Sequence, residues 1–506
     1  MVITPLLVLG ALVGCFQPPA GDGAGSDKEA DDSAADDSGN DSGDDTGVDT
    51  GIVAVPDDPI VLVWFIDTLG ERAAEEIDYC GSIASVVAEY GLDVDCHAGG
   101  VPASSWTLES TVRVSWPSHT VGPARASLTP ACDEDPVYAR VAAAIGGRYT
   151  FGADNAQIDA AFDRKTCDGG ARSPWSNGTT TYYTADDDVP YQEQYQSNDA
   201  LRPAHLALDD VLTWAREGEP AVALVNSFEG GGHSPRCWED PESAPCVATW
   251  DYAVARGVVD AGEDKVVAFQ DMLRWIDLFD AAQQDTETDP SELRTLFWQS
   301  TLEAASNWRD QLSVPRLRTL LDGLRDAGRL GDLQLILLGD HGESPCSDLL
   351  VEAGRDCSHG DAPNDWTNHV PVYFVPASMG QRWSTQGWIG DATVPWSLTR
   401  IPYALMADHE VALPGEWPEP EPLGQATAWA CFDGMGLATE YGMRVEGGAS
   451  VRCNGAACGA FEWREMVDEQ DTPAAIAAPT SLTPLLGPVG GYQNWFQATC
   501  HGAVVD

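Results

Sequence analysis

The sequence is poor in positive charge. Its 506 residues include 27 Lys and Arg but 80 Asp and Glu, which gives a formal net charge of −53. Lysine occurs at three positions only, Lys28, Lys165 and Lys265. Because contacts to phosphate groups need clustered Lys and Arg, this composition argues against nucleic acid as a partner and against electrostatic docking on anionic lipid headgroups. We interpret the acidic charge as a source of solubility through self-repulsion.

No membrane-embedded domain is visible in the sequence. The apolar stretch Val2–Val13 is too short for an ordinary transmembrane helix and is typical of a targeting segment. It ends in Leu12-Val13-Gly14-Cys15, which resembles a bacterial lipobox, although the usual Lys or Arg before the stretch is missing. We predict that residues 1–15 are a lipoprotein signal peptide and that Cys15 is lipidated; an ordinary cleaved secretory signal is the alternative. Because Phe16 follows the cysteine and Asp does not, the predicted location is the outer membrane of a Gram-negative bacterium, held by the lipid anchor alone.

The cysteines form no CxxC pattern, which argues against a zinc-finger type of metal site. Removing Cys15 from the 13 cysteines leaves 12, an even number, and an exported compartment favours disulfides. Spacing does not fix the connectivity. Close spacing suggests four local bridges: Cys80–Cys96, Cys237–Cys246, Cys346–Cys357 and Cys453–Cys458.

Residues 16–56 are rich in Asp, Gly, Ser and Ala and contain almost nothing to bury, so we predict a disordered acidic tether. The segment lacks the residue order and closing Glu of an EF-hand, which disfavours calcium loops. Residues 57–413 are predicted to form the main domain. After the proline-rich stretch Pro414–Pro422, residues 414–506 have shorter, turn-separated segments that indicate a small β-containing C-terminal subdomain.

Strand and helix patterns alternate along the main domain, which predicts an α/β fold with a mostly parallel sheet and helices on both faces. The predicted buried strands are Ile60–Ile66, Ala221–Val225, Leu333–Leu338 and Val370–Val375. The predicted helices are Ala73–Tyr90, Leu206–Glu217, Leu293–Gln311, Val314–Ala327 and Leu398–Met406. Gly99–Ser110 is predicted to be a loop and Asp133–Gln196 a surface excursion.

Polar side chains directly follow two of these strands. Asp67 comes after the first, and Asp340 and His341 come after Leu333–Leu338 and Gly339. Ligands of open α/β sheets bind at the carboxyl ends of the strands. Two carboxylates and an imidazole suit a divalent ion such as zinc or manganese better than a hard, oxygen-only cation. We therefore predict a metal site at this edge.

A hydroxyl and two histidines complete the predicted site: Thr107, His233 in a glycine-rich loop after the Ala221–Val225 strand, and His359. Threonine is a weak nucleophile unless a metal or a base activates it, and a metal lowers the pKa of a bound hydroxyl. Histidine can protonate a leaving oxygen near neutral pH. These groups are suited to hydrolysis or transfer of a phosphate or sulfate ester.

Six segments resemble, in order and spacing, the sulfatase family of the alkaline phosphatase superfamily. They are IVLVWFIDTLGER, SSWTLEST, LVNSFEGGGHSPR, LLDGLRDAGRLGDLQLILLGDHGES, CSHG followed by NHVPVYFVP, and EYGMRVEGGASVRC, and together they cover about Pro59 to Pro473. The resemblance implies an alkaline-phosphatase/sulfatase-like core and identifies residues 57–413 as the catalytic domain.

The same resemblance assigns roles to the candidate residues. It implies that Asp67, Asp340 and His341 are metal ligands and that Thr107 lies at the nucleophile position, where it also touches the metal. It implies that His233 and His359 contact the oxyanion or the leaving group. The ion could be Mn, Zn, Mg or Ca, and His369 is a spare candidate ligand for a second metal.

The nucleophile segment departs from the family pattern. Sulfatases that form formylglycine carry Cys or Ser in a C-x-P-S-R motif, whereas this chain reads Thr107-Leu108-Glu109-Ser110-Thr111. Threonine is more usual in phosphatases, phosphodiesterases and phosphoglycerol or phosphoethanolamine transferases. Glu109 adds negative charge that Arg113 could offset. A second register, Ser115-Trp116-Pro117-Ser118-His119, ranks lower because it resembles the turn that follows the nucleophile helix.

Three functions therefore stand as hypotheses. The first is a metal-dependent hydrolase of small or polymeric sulfate or phosphate esters, tethered to the cell envelope. The second is a phosphoglycerol- or phosphoethanolamine-type transferase, which commonly needs a membrane-embedded domain. The third is a catalytically inactive sulfatase-like surface binding protein. Bound metal would separate the third hypothesis from the other two.

Overall fold

The computed structural model describes most of the main domain and part of the C-terminal region. The described residues are 55–101, 114–115, 136–154, 175–176, 179–184, 203–227, 241–242, 244–257, 259–270, 299, 302, 305–306, 309–343, 367–390, 394–413, 420, 423–430, 440–445, 449–454 and 457–462. The predictions for residues 1–54 and for Thr107, His233 and His359 lie outside these ranges.

Within the described residues, nine strands form one central sheet in the order β4-β5-β3-β6-β1-β7-β8-β2-β9. The strands are β1 (Ile60–Ile66), β2 (Asp95–Val101), β3 (Arg148–Ala153), β4 (Trp175–Ser176), β5 (Thr180–Thr184), β6 (Ala221–Ser227), β7 (Leu333–Gly339), β8 (Val370–Val375) and β9 (Trp396–Ser397). All neighbours from β5 to β7 are parallel, as are β2 and β9, whereas β4 and β8 run antiparallel to their partners. The predicted mostly parallel sheet is confirmed.

Helices cover both faces of this sheet. They are α1 (Glu71–Glu76), α2 (Tyr79–Ala88), α3 (Val137–Ala144), α4 (Pro203–Glu217), α5 (Ala244–Arg256), α6 (Lys265–Gln270), α7 (Val314–Asp326), α8 (Ala377–Thr385) and α9 (Arg400–Asp408). One buried cluster packs α3, α8 and α9 against one face, and a second packs α1, α2, α4 and α7 against the other. Because β1 lies between these layers, all seven of its residues are buried, which explains its continuous apolar run.

Two local predictions were wrong in part. Gly99–Val101 belongs to β2 instead of a loop, and the predicted surface excursion contains α3 and the buried strand β3. β2 contains two adjacent glycines and a register shift, and β3 contains Arg, Thr and Gly, so neither carries a continuous apolar pattern. Burial of β3 between β5 and β6 decides its structure. The predicted helix Ala73–Tyr90 is divided into α1 and α2, and the described end of Leu293–Gln311 lies in a π-helical turn, Arg309–Ser313.

A second, antiparallel sheet follows the main domain. It contains β10 (Gln425–Ala430), β11 (Glu440–Val445), β12 (Ala449–Asn454) and β13 (Ala457–Glu462) in chain order. The domain boundary at residue 413 stays a prediction. Among the described residues, no helix combines the length and apolar character needed to cross a membrane.

The described cysteines agree with the proposed local pairing where it can be seen. Cys80 and Cys96 form a disulfide that joins α2 to β2. Cys246 is also disulfide-bonded. Cys453 and Cys458 are direct partners in the β12–β13 ladder, a backbone placement compatible with the predicted bridge. The pair Cys346–Cys357 lies outside the described residues.

Candidate metal centre

Three metal-capable side chains meet at the carboxyl edge of the sheet. Ligand atoms of Asp67, Asp340 and His341 all lie within 4.8 Å of one another. Asp67 is 2% exposed, and Asp340 and His341 are fully buried. Nε2 of His341 lies 3.8 Å from Oδ1 of Asp67. Two carboxylates and one imidazole, withdrawn from water at this separation, fit a divalent transition ion.

Strand register explains why these residues meet. Ile66, the last residue of β1, is paired with Gly339 of β7 on one side and with Ser227 of β6 on the other. Asp67 follows Ile66 and Asp340 follows Gly339, so the two aspartates lie at the same level just beyond the ends of β1 and β7. The backbone N–H of Asp67 donates to the carbonyl oxygen of Ser227 at 2.9 Å, which anchors Asp67 to β6 as well.

Gly339 permits the close approach of the two strand ends. A β-carbon at this position would collide with the carbonyl oxygen of Leu69, in the turn that follows Asp67. Any residue larger than glycine must therefore push the β7 end away from that turn. Glycine is therefore required before Asp340, because only a hydrogen atom on its Cα leaves space for the turn.

Thr68 orients both carboxylates. Its hydroxyl donates to Oδ1 of Asp67 at 2.7 Å, and its backbone N–H donates to Oδ1 of Asp340 at 2.9 Å. The same Asp340 oxygen accepts the N–H of His341 at 2.8 Å. Thr68 is buried and has a φ of 64°, in the left-handed region that a β-branched residue rarely adopts. Such a conformation costs about 1–3 kcal/mol and is usually found at functional sites.

The imidazole of His341 is held in one tautomer. Its Nδ1 lies 2.9 Å from the carbonyl oxygen of Gly342, which can only accept a hydrogen bond. Nδ1 is therefore the donor, and in the neutral imidazole the lone pair is on Nε2. This arrangement leaves Nε2, the nitrogen nearer Asp67, as the one able to bind a metal.

Glu343 is an acidic group of the centre that the sequence reasoning missed. Its side chain is buried, with 3% exposed. Burial raises the pKa of the Glu343 carboxyl well above its ordinary value, and the negative charge of Asp67 raises that pKa further. The position follows the Asp-His pair by two residues within DHGES, which is the signal that could have identified it.

Two buried carboxamides also lie at this edge. Asn226, next to last in β6, is fully buried, and its Oδ1 and Nδ2 have no hydrogen-bond partner among the described residues. Its α-carbon is paired with Phe65 of β1. Asn368, just before β8, is fully buried too; its Oδ1 accepts from Thr367 at 2.9 Å, and its Nδ2 has no partner in the described part of the chain. Buried polar groups of this kind usually have a structural or ligand partner.

The remaining predicted residues have different outcomes. Thr107, His233 and His359 lie outside the described residues, so their roles stay predictions. The segment that carries His233 follows β6 in the chain, and β6 ends beside Asp67. His369 contributes its carbonyl oxygen to the N–H of Glu71 at 2.8 Å and is not part of the three-residue metal group found among the described residues. Ser115 of the second nucleophile register is fully buried, as Asp340 and His341 are, so the lower rank of that register stays a prediction.

Comparisons with known proteins support the fold. No protein-family model and no curated protein matches the chain. The phosphonate monoester hydrolase of Agrobacterium radiobacter has a TM-score of 0.50 and 11% identity, over 87% of this chain and 95% of that one. The corresponding hydrolase from Silicibacter pomeroyi has a TM-score of 0.47 and 11% identity, over 87% and 96%. A 2-O GAG sulfatase has a TM-score of 0.46 and 11% identity, over 87% and 92%.

The structural neighbours are sulfatases and phosphonate monoester hydrolases of the alkaline phosphatase superfamily. The Agrobacterium radiobacter hydrolase, at a TM-score of 0.50, confirms the fold that the six sequence segments implied: a mixed α/β core with a mostly parallel central sheet between helices. At 11% identity this likeness concerns the fold and leaves the substrate to the chemistry of the site.

Proposed function

We propose that this protein is a metal-dependent hydrolase of sulfate or phosphate esters, with phosphate esters favoured. The observation that carries the proposal is the buried group of Asp67, Asp340 and His341 at the carboxyl edge of the sheet. Burying carboxylates without a compensating cation is costly, so a site of this composition is best explained by a bound divalent ion.

Asp67, Asp340 and His341 would hold this ion, which supplies positive charge for the ester oxyanion and lowers the pKa of a bound hydroxyl. The lone pair on His341 Nε2 favours zinc or manganese over calcium or magnesium. The Nδ2 groups of Asn226 and Asn368, at the same edge of the sheet, would serve as neutral donors for the remaining ester oxygens, and their full burial would strengthen such hydrogen bonds.

Thr107 is the proposed nucleophile. Its hydroxyl oxygen attacks the phosphorus or sulfur and forms a threonine ester, while the hydroxyl proton passes to a base. The bond to the leaving alcohol breaks, and His233 or His359 protonates that alcohol. Water then cleaves the threonine ester, which releases phosphate or sulfate and restores the hydroxyl.

Phosphate esters are favoured because the nucleophile is threonine. The segment Thr107–Thr111 lacks the proline and arginine of the formylglycine pattern, and threonine is not converted to formylglycine by the ordinary route. The Agrobacterium radiobacter neighbour is named for phosphonate monoesters, so this ester class belongs in the substrate panel.

The experiment measures hydrolysis by the full-length, metal-stripped protein with and without added Mn²⁺ or Zn²⁺. The substrates are an aryl phosphate, a bis-aryl phosphate, an aryl phosphonate monoester and an aryl sulfate. Thr107→Ala removes the nucleophile, and Thr179→Ala, an exposed threonine between β4 and β5, is the matched control. We expect metal-dependent turnover of a phosphate or phosphonate ester that Thr107→Ala abolishes and Thr179→Ala preserves.

Two results would contradict this proposal in different ways. Turnover of the sulfate alone would show that the argument from the nucleophile is wrong. Absence of turnover together with absence of metal binding would favour the surface binding protein. A transferase would instead give headgroup-containing lipid products.

We also propose that the enzyme is a lipoprotein attached through Cys15 at the cell envelope. The support is the lipobox-like segment that ends at this cysteine. Expressed in a Gram-negative host, the wild-type chain should partition into detergent and incorporate labelled fatty acid, whereas Cys15→Ser should do neither. Equal partitioning of both chains would exclude this anchor.

A further inference from the structure

We propose that Thr68 is a positioning residue that sets the affinity of the centre for its metal, an inference that rests on the proposed function. Thr68 contributes none of the three metal-capable atoms, yet it donates hydrogen bonds to both carboxylates, those of Asp67 and Asp340. Its side chain is 3% exposed, so water does not substitute for these contacts.

The left-handed backbone conformation of Thr68 is energetically unfavourable. Three non-glycine residues in the described part of the chain have positive φ: Thr68 at 64°, Asp78 at 50° and Glu410 at 55°. Asp78 and Glu410 are exposed and lie next to helix ends, where left-handed residues are common. Thr68 is the β-branched member, for which this region is most unfavourable. Glycine would adopt the same turn without strain, so the threonine side chain must serve another purpose.

That purpose is visible in the hydrogen bonds. The Thr68 hydroxyl fixes Oδ1 of Asp67, the oxygen that lies 3.8 Å from Nε2 of His341. The Thr68 N–H reaches across to Oδ1 of Asp340 on the neighbouring strand. One strained residue therefore fixes the rotation of the Asp67 carboxylate while linking the ends of β1 and β7. Ligands held in place before the ion arrives lose less conformational freedom on binding.

The strain and the hydrogen bonds predict opposite effects of one substitution. Thr68→Gly relieves the backbone and should raise the melting temperature of the metal-free protein, but it removes the hydroxyl and loosens Asp67. Thr68→Val keeps the shape and the strain and removes only the hydroxyl. Thr68→Ser keeps the hydroxyl.

The test measures the Kd for Mn²⁺ and Zn²⁺ by competition with a chromophoric chelator, using the full-length protein, together with thermal melting. Loss of an outer hydrogen bond to a metal ligand weakens metal binding by about 10- to 100-fold. We expect a loss of this size for Thr68→Val and Thr68→Gly, and near-wild-type affinity for Thr68→Ser. Glu410→Gly is the matched control, since it relieves a left-handed residue away from the centre and should raise the melting temperature without changing either Kd.

The outcomes separate the two proposals. If wild type binds metal and the Val and Gly variants bind it equally well, the role of Thr68 is overturned and the proposed function stands. If wild type binds neither ion, both proposals fail. If Thr68→Val does not fold, Thr68→Gly decides, because its turn is unstrained; an unchanged Kd in that variant overturns the inference.

Discussion

Gly339 positions the candidate centre because it lacks a β-carbon. Its missing side chain lets the β7 end pass the carbonyl oxygen of Leu69, and Asp340 follows immediately. We expect Gly339→Ala to lower the free energy of unfolding by about 1–3 kcal/mol, as overpacked sites do. Because the shift moves Asp340, metal affinity should fall as well. Urea denaturation and chelator competition measure the two effects.

Gly331 provides a control for this substitution. It is exposed, its φ is not positive, and an added β-carbon would meet nothing within 4 Å. Gly331→Ala should therefore be neutral or stabilise the protein by about 0.4–1 kcal/mol, with unchanged metal affinity. If Gly339→Ala and Gly331→Ala change the free energy of unfolding and the metal affinity equally, the packing explanation is wrong.

Single residues also mark the limit of prediction from sequence. The structure brings together Asp67, Asp340 and His341, which the sequence places after buried strands. Thr68 escaped notice because a left-handed backbone is a property of the folded chain, and so is the burial that raises the pKa of Glu343, although DHGES marks the position of Glu343 in the sequence. A threonine and a glutamate in a turn otherwise look like ordinary surface residues.

At the scale of secondary-structure elements, an ion pair holds the end of β3 against two helices. Asp154 accepts the N–H of Ala204 in the first turn of α4 at 3.1 Å. The Asp154 carboxylate lies 3.6 Å from Nη1 of Arg316 on α7, and both side chains are 2% exposed. Removing one partner of a buried pair costs about 3–5 kcal/mol, because the remaining charge is uncompensated. We expect this loss in urea denaturation of Arg316→Met.

The double variant distinguishes charge from packing. Asp154→Asn combined with Arg316→Met removes both charges and keeps an acceptor for Ala204, so it should recover most of the stability. Arg325→Met, which removes an exposed partner of Asp322 on the same helix, should cost at most about 1 kcal/mol. A double variant as unstable as Arg316→Met would contradict the electrostatic explanation.

The elements that could be predicted are those with a strong local pattern. β1 and β8 are continuous apolar runs, β7 is interrupted only by Gln334, and α7 places its leucines on one buried face. β2 and β3 could not be predicted, since their glycines and polar residues carry no such pattern and neighbouring strands impose the extended conformation. Strand order and the antiparallel direction of β8 are also long-range properties that local patterns do not encode.

For the whole molecule, metal should act as a stabilising ligand. Asp67 and Asp340 are two buried carboxyl groups in one region, and a cation bound there offsets the cost of burying their charge. At a metal concentration 100 times Kd, binding to the folded state adds about 2.7 kcal/mol to the free energy of unfolding. Chelation should reverse this gain, and Asp340→Asn should greatly reduce it. If Mn²⁺ and Zn²⁺ do not change the melting temperature of the wild-type protein, the proposed metal centre is contradicted.

The net charge of −53 should slow the encounter with an anionic ester. Raising the salt concentration from about 10 mM to about 150 mM shortens the screening length from about 30 Å to about 8 Å. We expect kcat/KM to rise over this range, and to rise more for a dianionic phosphate monoester than for a monoanionic diester. Steady-state kinetics at several salt concentrations measure this. A fall with salt would indicate a local positive potential that outweighs the overall charge.

The antiparallel direction of β8 has a consequence for how the protein can change over evolutionary time. Because β7 and β8 are antiparallel neighbours, β7 ends and β8 begins at the same edge of the sheet. The N–H of Gly342 donates to the carbonyl oxygen of Thr367 at 2.8 Å, so the residues on either side of the connecting segment, residues 344–366, are held together. Lengthening a closed loop costs little entropy. Descendants could therefore lengthen or replace residues 344–366 while inheriting the sheet unchanged.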